Sequence, residues 1–146
     1  MPKSDAPRLA ILGAGPIGLE AGLYAKKLDL PFTIYERGRT GEHLLRWGHV
    51  RLFSPFAMNA TALGRGAIKS VKPSHEFPAD DVCITGREHV AQYLNPLAET
   101  LQGNIQNDNV VLKIGRRGLL KSDADAGRAK RPFRLLVRDK TRERIE

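Results

Sequence analysis

The sequence predicts an α/β fold that begins with a parallel sheet. An apolar run, Leu9–Leu12, is followed by a glycine-rich turn, an alanine- and leucine-rich stretch and a second apolar run, Phe32–Tyr35. Short apolar runs on either side of a helical stretch are typical of a βαβ unit with parallel strands. Residues 133–138 and 142–146 have the composition and spacing of a small terminal β-hairpin. The class is therefore α/β, Rossmann-like, with a hairpin added.

The helix of the βαβ unit is expected to run from Pro16 to Leu28. Pro16 suits the first helical turn, where its missing N–H removes no intrahelical bond. Two lysines near the other end complement the helix dipole, and Asp29-Leu30-Pro31 stops the helix. We therefore assign the unit to residues 8–36.

The turn Gly13-Ala14-Gly15-Pro16-Ile17-Gly18 has the spacing of a dinucleotide-binding motif. Gly13 permits a tight turn, Gly15 lets the backbone approach a pyrophosphate, and Gly18 lets the helix lie close to the sheet. The free N–H groups at the start of the helix suit a bound phosphate. We predict that Gly13, Gly15, Pro16, Ile17 and Gly18 bind a cofactor, although a glycine-rich turn could also close an ordinary βαβ unit.

Glu36 stands 18 positions after Gly18, close to the offset at which an acidic residue accepts hydrogen bonds from a ribose. Such a carboxylate disfavours a 2′-phosphate. Arg37 and Arg39 could suggest NADP, but Glu36 favours an adenosine with free ribose hydroxyls, as in FAD or NAD.

Residues 37–84 read as an irregular region on the cofactor side, with one short helix near residues 59–68. A long loop inside a domain is uncommon unless it is functional. Trp47 could equally pack in the core or contact the cofactor. We include it among the cofactor-binding candidates, together with Arg37.

A second helix is expected after Thr85, where Thr85 and Glu88 form a capping-box pattern. Pro96 predicts a kink or a helix in two parts, and Gly103 ends it. The apolar residues 110–114 are the expected third strand of the sheet. The terminal hairpin follows.

Composition indicates one soluble, cytoplasmic domain of 146 residues, because no run of residues is long and apolar enough to span a membrane. The single Cys83 excludes an intrachain disulfide, and the spacing of the four histidines suggests no metal site. Of the net charge of +8, the segment from Gly115 onward carries +6. A basic tail can indicate nucleic-acid binding, but here a solvated face or a surface that meets another part of a larger protein fits better.

Residues 11–19, 35–37 and 41–47 resemble the N-terminal part of the FAD-dependent pyridine-nucleotide oxidoreductases, the group of flavin-containing monooxygenases and thioredoxin-reductase-like enzymes. The resemblance implies that the glycine motif binds the ADP half of FAD, that Glu36 holds its ribose and that Arg37 lies near the adenine. It covers nearly the whole chain. The loop at Gly41 departs from the doubled glycine that is common in these enzymes.

Members of that family continue with a further strand and a second glycine motif for NAD(P)H, and both are absent from this sequence. The resemblance therefore implies a partial domain whose first strand, Leu9–Leu12, has an open edge. A second domain, a partner subunit or a second copy of the chain could cover it. Only with a second domain would NAD(P)H serve as reductant.

These observations favour the FAD-binding region of a flavin-dependent oxidoreductase or monooxygenase, catalytically incomplete by itself. We assign no catalytic acid, base or nucleophile. One alternative is a regulatory or assembly module that binds NAD or FAD without catalysis. Another is a basic module that binds nucleic acid through residues 116–144.

Overall fold

The predicted βαβ unit is present as strand β1 (Leu9–Leu12), helix α1 (Pro16–Lys27) and strand β2 (Phe32–Tyr35). The structure, a computed structural model, describes residues 8–120, 122–123 and 127–146. The two strands are parallel and in register from the pair Leu9 and Phe32 to the pair Leu12 and Tyr35. Helix α1 ends one residue before the predicted boundary.

The region after β2 contains more helix than expected. Helix α2 (Glu42–Arg46), a 3₁₀ turn (Phe56–Met58) and helix α3 (Ala62–Val71) are separated by irregular chain. The predicted short helix thus begins three residues late, because the Thr61 hydroxyl caps it by accepting the Gly64 N–H at 2.8 Å.

The second predicted helix comprises α4 (Gly86–His89), a π-helical turn (Val90–Leu94) and α5 (Asn95–Thr100). Its capping box is present as predicted. The helix has two α-helical parts, as predicted, but the π-helical turn joins them without a break and Pro96 lies in the first turn of α5. Because Pro96 has no N–H to donate, the carbonyl of Gln92 is available to His75, whose Nε2 lies 2.9 Å away.

The third strand of the parallel sheet is β3 (Ile105–Gln106), so the prediction that residues 110–114 form this strand is wrong. The N–H groups of Ile34 and Glu36 donate to the carbonyls of Asn104 and Gln106. This pairing occupies the outer edge of β2 before the chain reaches residue 110.

The chain then enters a separate antiparallel sheet of β4 (Val110–Arg116), β5 (Phe133–Arg138) and β6 (Glu143–Ile145). The terminal hairpin is confirmed as β5 and β6, with β4 paired to the other side of β5. This sheet packs on the end of β2 through Tyr35, which contacts buried Leu135 and Val137.

The parallel sheet has the order β1, β2, β3, and its β1 edge is open as predicted. Within the described part of the chain β1 pairs only with β2. Leu9 and Leu12 are 38% and 47% exposed, whereas Ile34 at the centre of the sheet is fully buried. An unpaired strand edge of this kind is a template for a further strand.

Among the described residues, no helix is long and apolar enough to cross a membrane. Over the same residues, no group of three or more histidine, cysteine, aspartate or glutamate side chains is arranged to hold a metal ion.

Candidate functional site

The glycine turn between β1 and α1 favours glycine at two positions, Gly13 for its backbone conformation and Gly18 for lack of space. Gly13 has φ of +98°, a backbone conformation that side chains rarely allow. A Cβ on Gly18 would lie 1.8 Å from the carbonyl oxygen of Gly13. Gly18 therefore lets α1 start directly against the turn, and the same Cβ would lie 3.6 Å from Cγ2 of Ile11 in β1.

Backbone donors are exposed at the start of α1. Gly15 is the N-cap and Pro16 opens the helix. Within the described chain, no hydrogen bond is recorded for the N–H groups of Gly15, Ile17 and Gly18. A Cβ on Gly15 would meet no atom within 4 Å, so the space beside these donors is open. This arrangement suits an anion, because the positive end of the helix dipole lies at the same place.

Glu36 lies beside the turn and is only 8% exposed. Its Oε2 accepts the Ala14 N–H at 2.8 Å, and its Oε1 accepts the Gly38 N–H at 2.9 Å. These two bonds fix the carboxylate. Each oxygen keeps a second lone pair, so the group can still accept hydrogen bonds from a ligand.

A cavity of about 420 Å³, which we call the turn cavity, joins these features. Four of the predicted site residues line it, namely Gly13, Gly15, Glu36 and Arg37. The remaining lining residues are Leu12, Tyr35, Gly41, Glu42, His43, Leu44, Asn109, Val110 and Val111. Gly18 does not line the turn cavity and acts by allowing the helix and the turn to pack.

The residues at the start of β4 belong to the turn cavity but were missed by the sequence analysis. Asn109, Val110 and Val111 reach it because the Asn109 N–H donates to the Glu36 carbonyl at 2.8 Å. Arg144 of β6 donates to the side chain of Asn109 at 2.7 Å and so steadies this wall. Local sequence carries no signal for these contacts, because they cross from one sheet to the other.

A second cavity of about 390 Å³, which we call the histidine cavity, is lined by residues from the beginning of α1. The predicted residues Pro16, Ile17 and Trp47 line it. The other lining residues are Glu20, Leu44, Leu52, Met58, Asn59, Ala60, Thr61, His89 and Tyr93. Leu44 lines both cavities. All the predicted site residues except Gly18 therefore line one or the other of two cavities at the start of α1.

Trp47 both packs and lines a cavity, so the two interpretations left open by the sequence are compatible. A Cβ on Gly86 would lie 2.9 Å from Cζ3 of Trp47, which shows that the indole packs against the start of α4. The same side chain lines the histidine cavity.

A polar cluster closes one wall of the histidine cavity. The Tyr93 hydroxyl donates to Glu20 at 2.8 Å and accepts the Thr61 N–H at 3.1 Å. The Thr61 hydroxyl lies 2.9 Å from the other carboxylate oxygen of Glu20. Burial raises the pKa of Tyr93 to about 12. The tyrosine therefore stays protonated and holds α1 to the π-helical turn.

His89 lies in the same wall, 2% exposed and stacked on Tyr93 with ring centroids 5.5 Å apart. Its Nδ1 is enclosed and has no hydrogen-bond partner among the described residues. Burial lowers the pKa of His89 to about 4, so the imidazole is neutral near neutral pH.

We expect His89 to make the fold less stable in acid. An unfolded histidine titrates near pH 6.5, above the folded value, so between the two pKa values the unfolded state binds the extra proton. The free energy of unfolding should therefore fall as the pH is lowered from about 7 to about 4.5, with His89 contributing a loss of about 2–3 kcal/mol. Denaturant unfolding at both pH values measures it.

The matched comparison uses two histidine substitutions. In His89→Gln the free energy of unfolding should fall by about 2–3 kcal/mol less between pH 7 and pH 4.5 than in the wild type, because the group with the depressed pKa is removed. His49→Leu, at an exposed position, should leave it unchanged. Equal pH dependence in the wild type and His89→Gln would contradict the assignment of a depressed pKa to His89.

Comparison with known proteins finds a family that matches most of this chain. A model of the pyridine nucleotide-disulphide oxidoreductase family matches residues 10–121, which include the βαβ unit from the second residue of β1 onward and all of β4. A search of curated proteins finds no match to the sequence.

Several solved structures share the fold at low identity. The bacillithiol disulfide reductase Bdr (YpdA) from Bacillus cereus has a TM-score of 0.67 at 15% identity, over 95% of this chain and 37% of its own. OTEMO in complex with FAD and NADP has a TM-score of 0.61 at 16% identity, over 97% of this chain and 24% of its own. An oxidized steroid monooxygenase bound to NADP has a TM-score of 0.62 at 18% identity, over 90% and 22%. The chain thus spans little more than a third of the reductase and about a quarter of the two others.

Proposed function

This chain belongs to the pyridine nucleotide-disulphide oxidoreductase family, and from that premise we propose that it is the FAD-binding region of a flavin-dependent oxidoreductase or monooxygenase. The observation that carries the proposal is the joint position of the open α1 N-terminus and the Glu36 carboxylate in one cavity. A pyrophosphate and a ribose have the complementary chemistry.

The turn cavity fits the ADP half of FAD. The N–H groups of Gly15, Ile17 and Gly18 have no hydrogen-bond partner among the described residues, and at the start of α1, beside this cavity, they suit the pyrophosphate. The lone pairs of Glu36 that are not used within the chain suit ribose hydroxyls, and the negative charge of its carboxylate repels a 2′-phosphate. Val110 and Val111 provide apolar surface, and Arg37 a cation, for the adenine end.

The histidine cavity fits the ring end of the same cofactor. It begins at Pro16, the residue directly after the Gly15 N-cap, and its lining is largely apolar. A ligand whose pyrophosphate lies at the start of α1 can therefore extend into the turn cavity on one side and into the histidine cavity on the other. OTEMO, which shares this fold, is described with FAD bound.

Bound FAD would supply the electron-accepting and hydride-accepting chemistry. The residues of this chain would bind and orient it: the turn would donate to the phosphates, Glu36 would accept from the ribose, and Ile17 and Trp47 would line the ring end. A source of reducing equivalents such as NAD(P)H requires a second domain.

We propose that the rest of a larger protein, a partner subunit or a second copy pairs with the open β1 edge. A cytoplasmic location stays a prediction from the sequence.

Binding of nucleotide fragments tests the proposal. Titration calorimetry should show that FAD and ADP bind the purified, folded chain and compete with one another, because both carry the pyrophosphate and the ribose. FMN, which lacks the adenosine monophosphate portion of FAD, should bind at least tenfold more weakly than FAD, since the turn cavity supplies most of the polar contacts. Circular dichroism establishes that the chain is folded.

Two results would speak against a flavin site. A folded chain that binds neither FAD nor ADP would exclude the nucleotide assignment. Tighter binding of NAD than of FAD would favour the alternative, a regulatory or assembly module without flavin chemistry.

A further inference from the structure

The polar side chains of the histidine cavity differ in how much of their hydrogen-bonding capacity is already used. Glu20, Thr61 and Tyr93 are bonded to one another. The Asn59 amide donates to Ser54 and Pro55 on its own loop. His89 has no recorded side-chain hydrogen bond to any described residue.

A buried imidazole without a hydrogen bond, such as that of His89, is expected to have a hydrogen-bond partner in the functional state. Buried polar groups in native proteins are nearly always hydrogen-bonded, and an unsatisfied one lowers stability. His89 is held in place by its stacking on Tyr93 and by edge contact with Phe56 at 6.4 Å between centroids. The ring therefore has a fixed orientation but no hydrogen-bond partner in the part of the chain that the structure describes.

We propose that His89 is a positioning residue for the flavin, and that its imidazole donates a hydrogen bond through Nε2 to a carbonyl or ring nitrogen of the isoalloxazine. This inference rests on the proposed function. Since Nδ1 is enclosed, a ligand can reach the ring only through Nε2, and the neutral tautomer with its proton on Nε2 is a donor at that atom. The ring of the cofactor offers the acceptors that this donor lacks.

The position of the cavity supports the assignment. It continues from the first residue of α1 and shares Leu44 with the turn cavity, so a single extended cofactor can reach both. A volume of about 390 Å³ is within the range of small-molecule sites. His89 is also 2% exposed, which excludes most competition from water.

The test compares FAD with ADP, which has no flavin ring. His89→Leu should raise the Kd for FAD about tenfold, the typical loss for one hydrogen bond, and leave the Kd for ADP unchanged. His89→Gln, which keeps a donor, should recover most of the FAD affinity. His49→Leu is the control for a histidine outside both cavities. The visible absorption spectrum of bound FAD should also shift in His89→Leu, relative to the wild type, and should not shift in His49→Leu.

A measurement on the wild type avoids dependence on the folding of a variant. The NMR signals of the His89 ring nitrogens should move when FAD is added and stay in place when ADP is added. Binding of FAD with no change in these signals, or an unchanged ratio of FAD to ADP affinity in a folded His89→Leu, would overturn the role of His89 and leave the nucleotide site intact. A folded wild type that binds neither ligand would overturn the proposed function and this inference with it.

Discussion

Replacing Gly18 with alanine should destabilise the fold and abolish the retention of FAD together. The new methyl group would lie 1.8 Å from the carbonyl oxygen of Gly13, and a backbone atom cannot move aside by changing a rotamer. Helix α1 must therefore shift away from the turn, at a cost of about 3 kcal/mol or more. Denaturant unfolding and flavin absorbance after gel filtration measure the two losses.

Two other glycines separate the effect on folding from the effect on binding. At Gly15 and Gly66 an added Cβ would meet no atom within 4 Å, so alanine at either position should leave the free energy of unfolding nearly unchanged or slightly higher. Gly15→Ala should still lower FAD affinity at least tenfold, because its methyl group would stand where the pyrophosphate is proposed to lie. Gly66→Ala, in α3, should bind FAD normally. Normal retention of FAD by Gly15→Ala would argue against the pyrophosphate position.

Glu36→Gln should weaken both the turn and the nucleotide site. Each carboxylate oxygen accepts one backbone N–H, from Ala14 and from Gly38. A glutamine amide offers only one acceptor, so one of these N–H groups would face an NH₂ donor. We expect a loss of about 1–3 kcal/mol in the free energy of unfolding and at least a tenfold rise in the Kd for ADP. Denaturant unfolding and calorimetry measure the two quantities.

The control for this substitution is Glu76→Gln, because Glu76 is exposed and lines neither cavity. It should leave stability and ADP binding unchanged. A second readout uses ADP with an added 2′-phosphate, which the wild type should reject. Glu36→Gln should bind it relatively better, since the repelling charge is gone. A Glu36→Gln protein with wild-type preference between the two ligands would contradict the ribose role.

The βαβ unit was predictable nearly to the residue, because its signals are local. Strand β2 matches the apolar run Phe32–Tyr35, and α1 ends within one residue of its predicted boundary. The capping box at Thr85 was likewise readable from spacing alone. The family resemblance rested on the same short motifs and is confirmed by the family match.

The third strand was misassigned because its signal is not local. Strand β3 has two residues, of which only Ile105 is apolar, and it forms because Ile34 and Glu36 offer an unpaired edge. The stronger apolar run at Val110 is instead the partner of β5. Periodicity identified a strand there but carried no information about which sheet it would join.

The amino-acid sequence alone determined the glycine turn, the start of α1 and the acid at Glu36, since each depends on residues close together in the chain. The division of the site into two cavities was decided by tertiary structure. His89 and Tyr93 stand more than 70 positions from Pro16 in the sequence, and only the packing of α4 and the π-helical turn on α1 brings them beside it. Contacts at that separation have no periodic or compositional signature, because they arise from how the helices pack and not from what any one segment prefers.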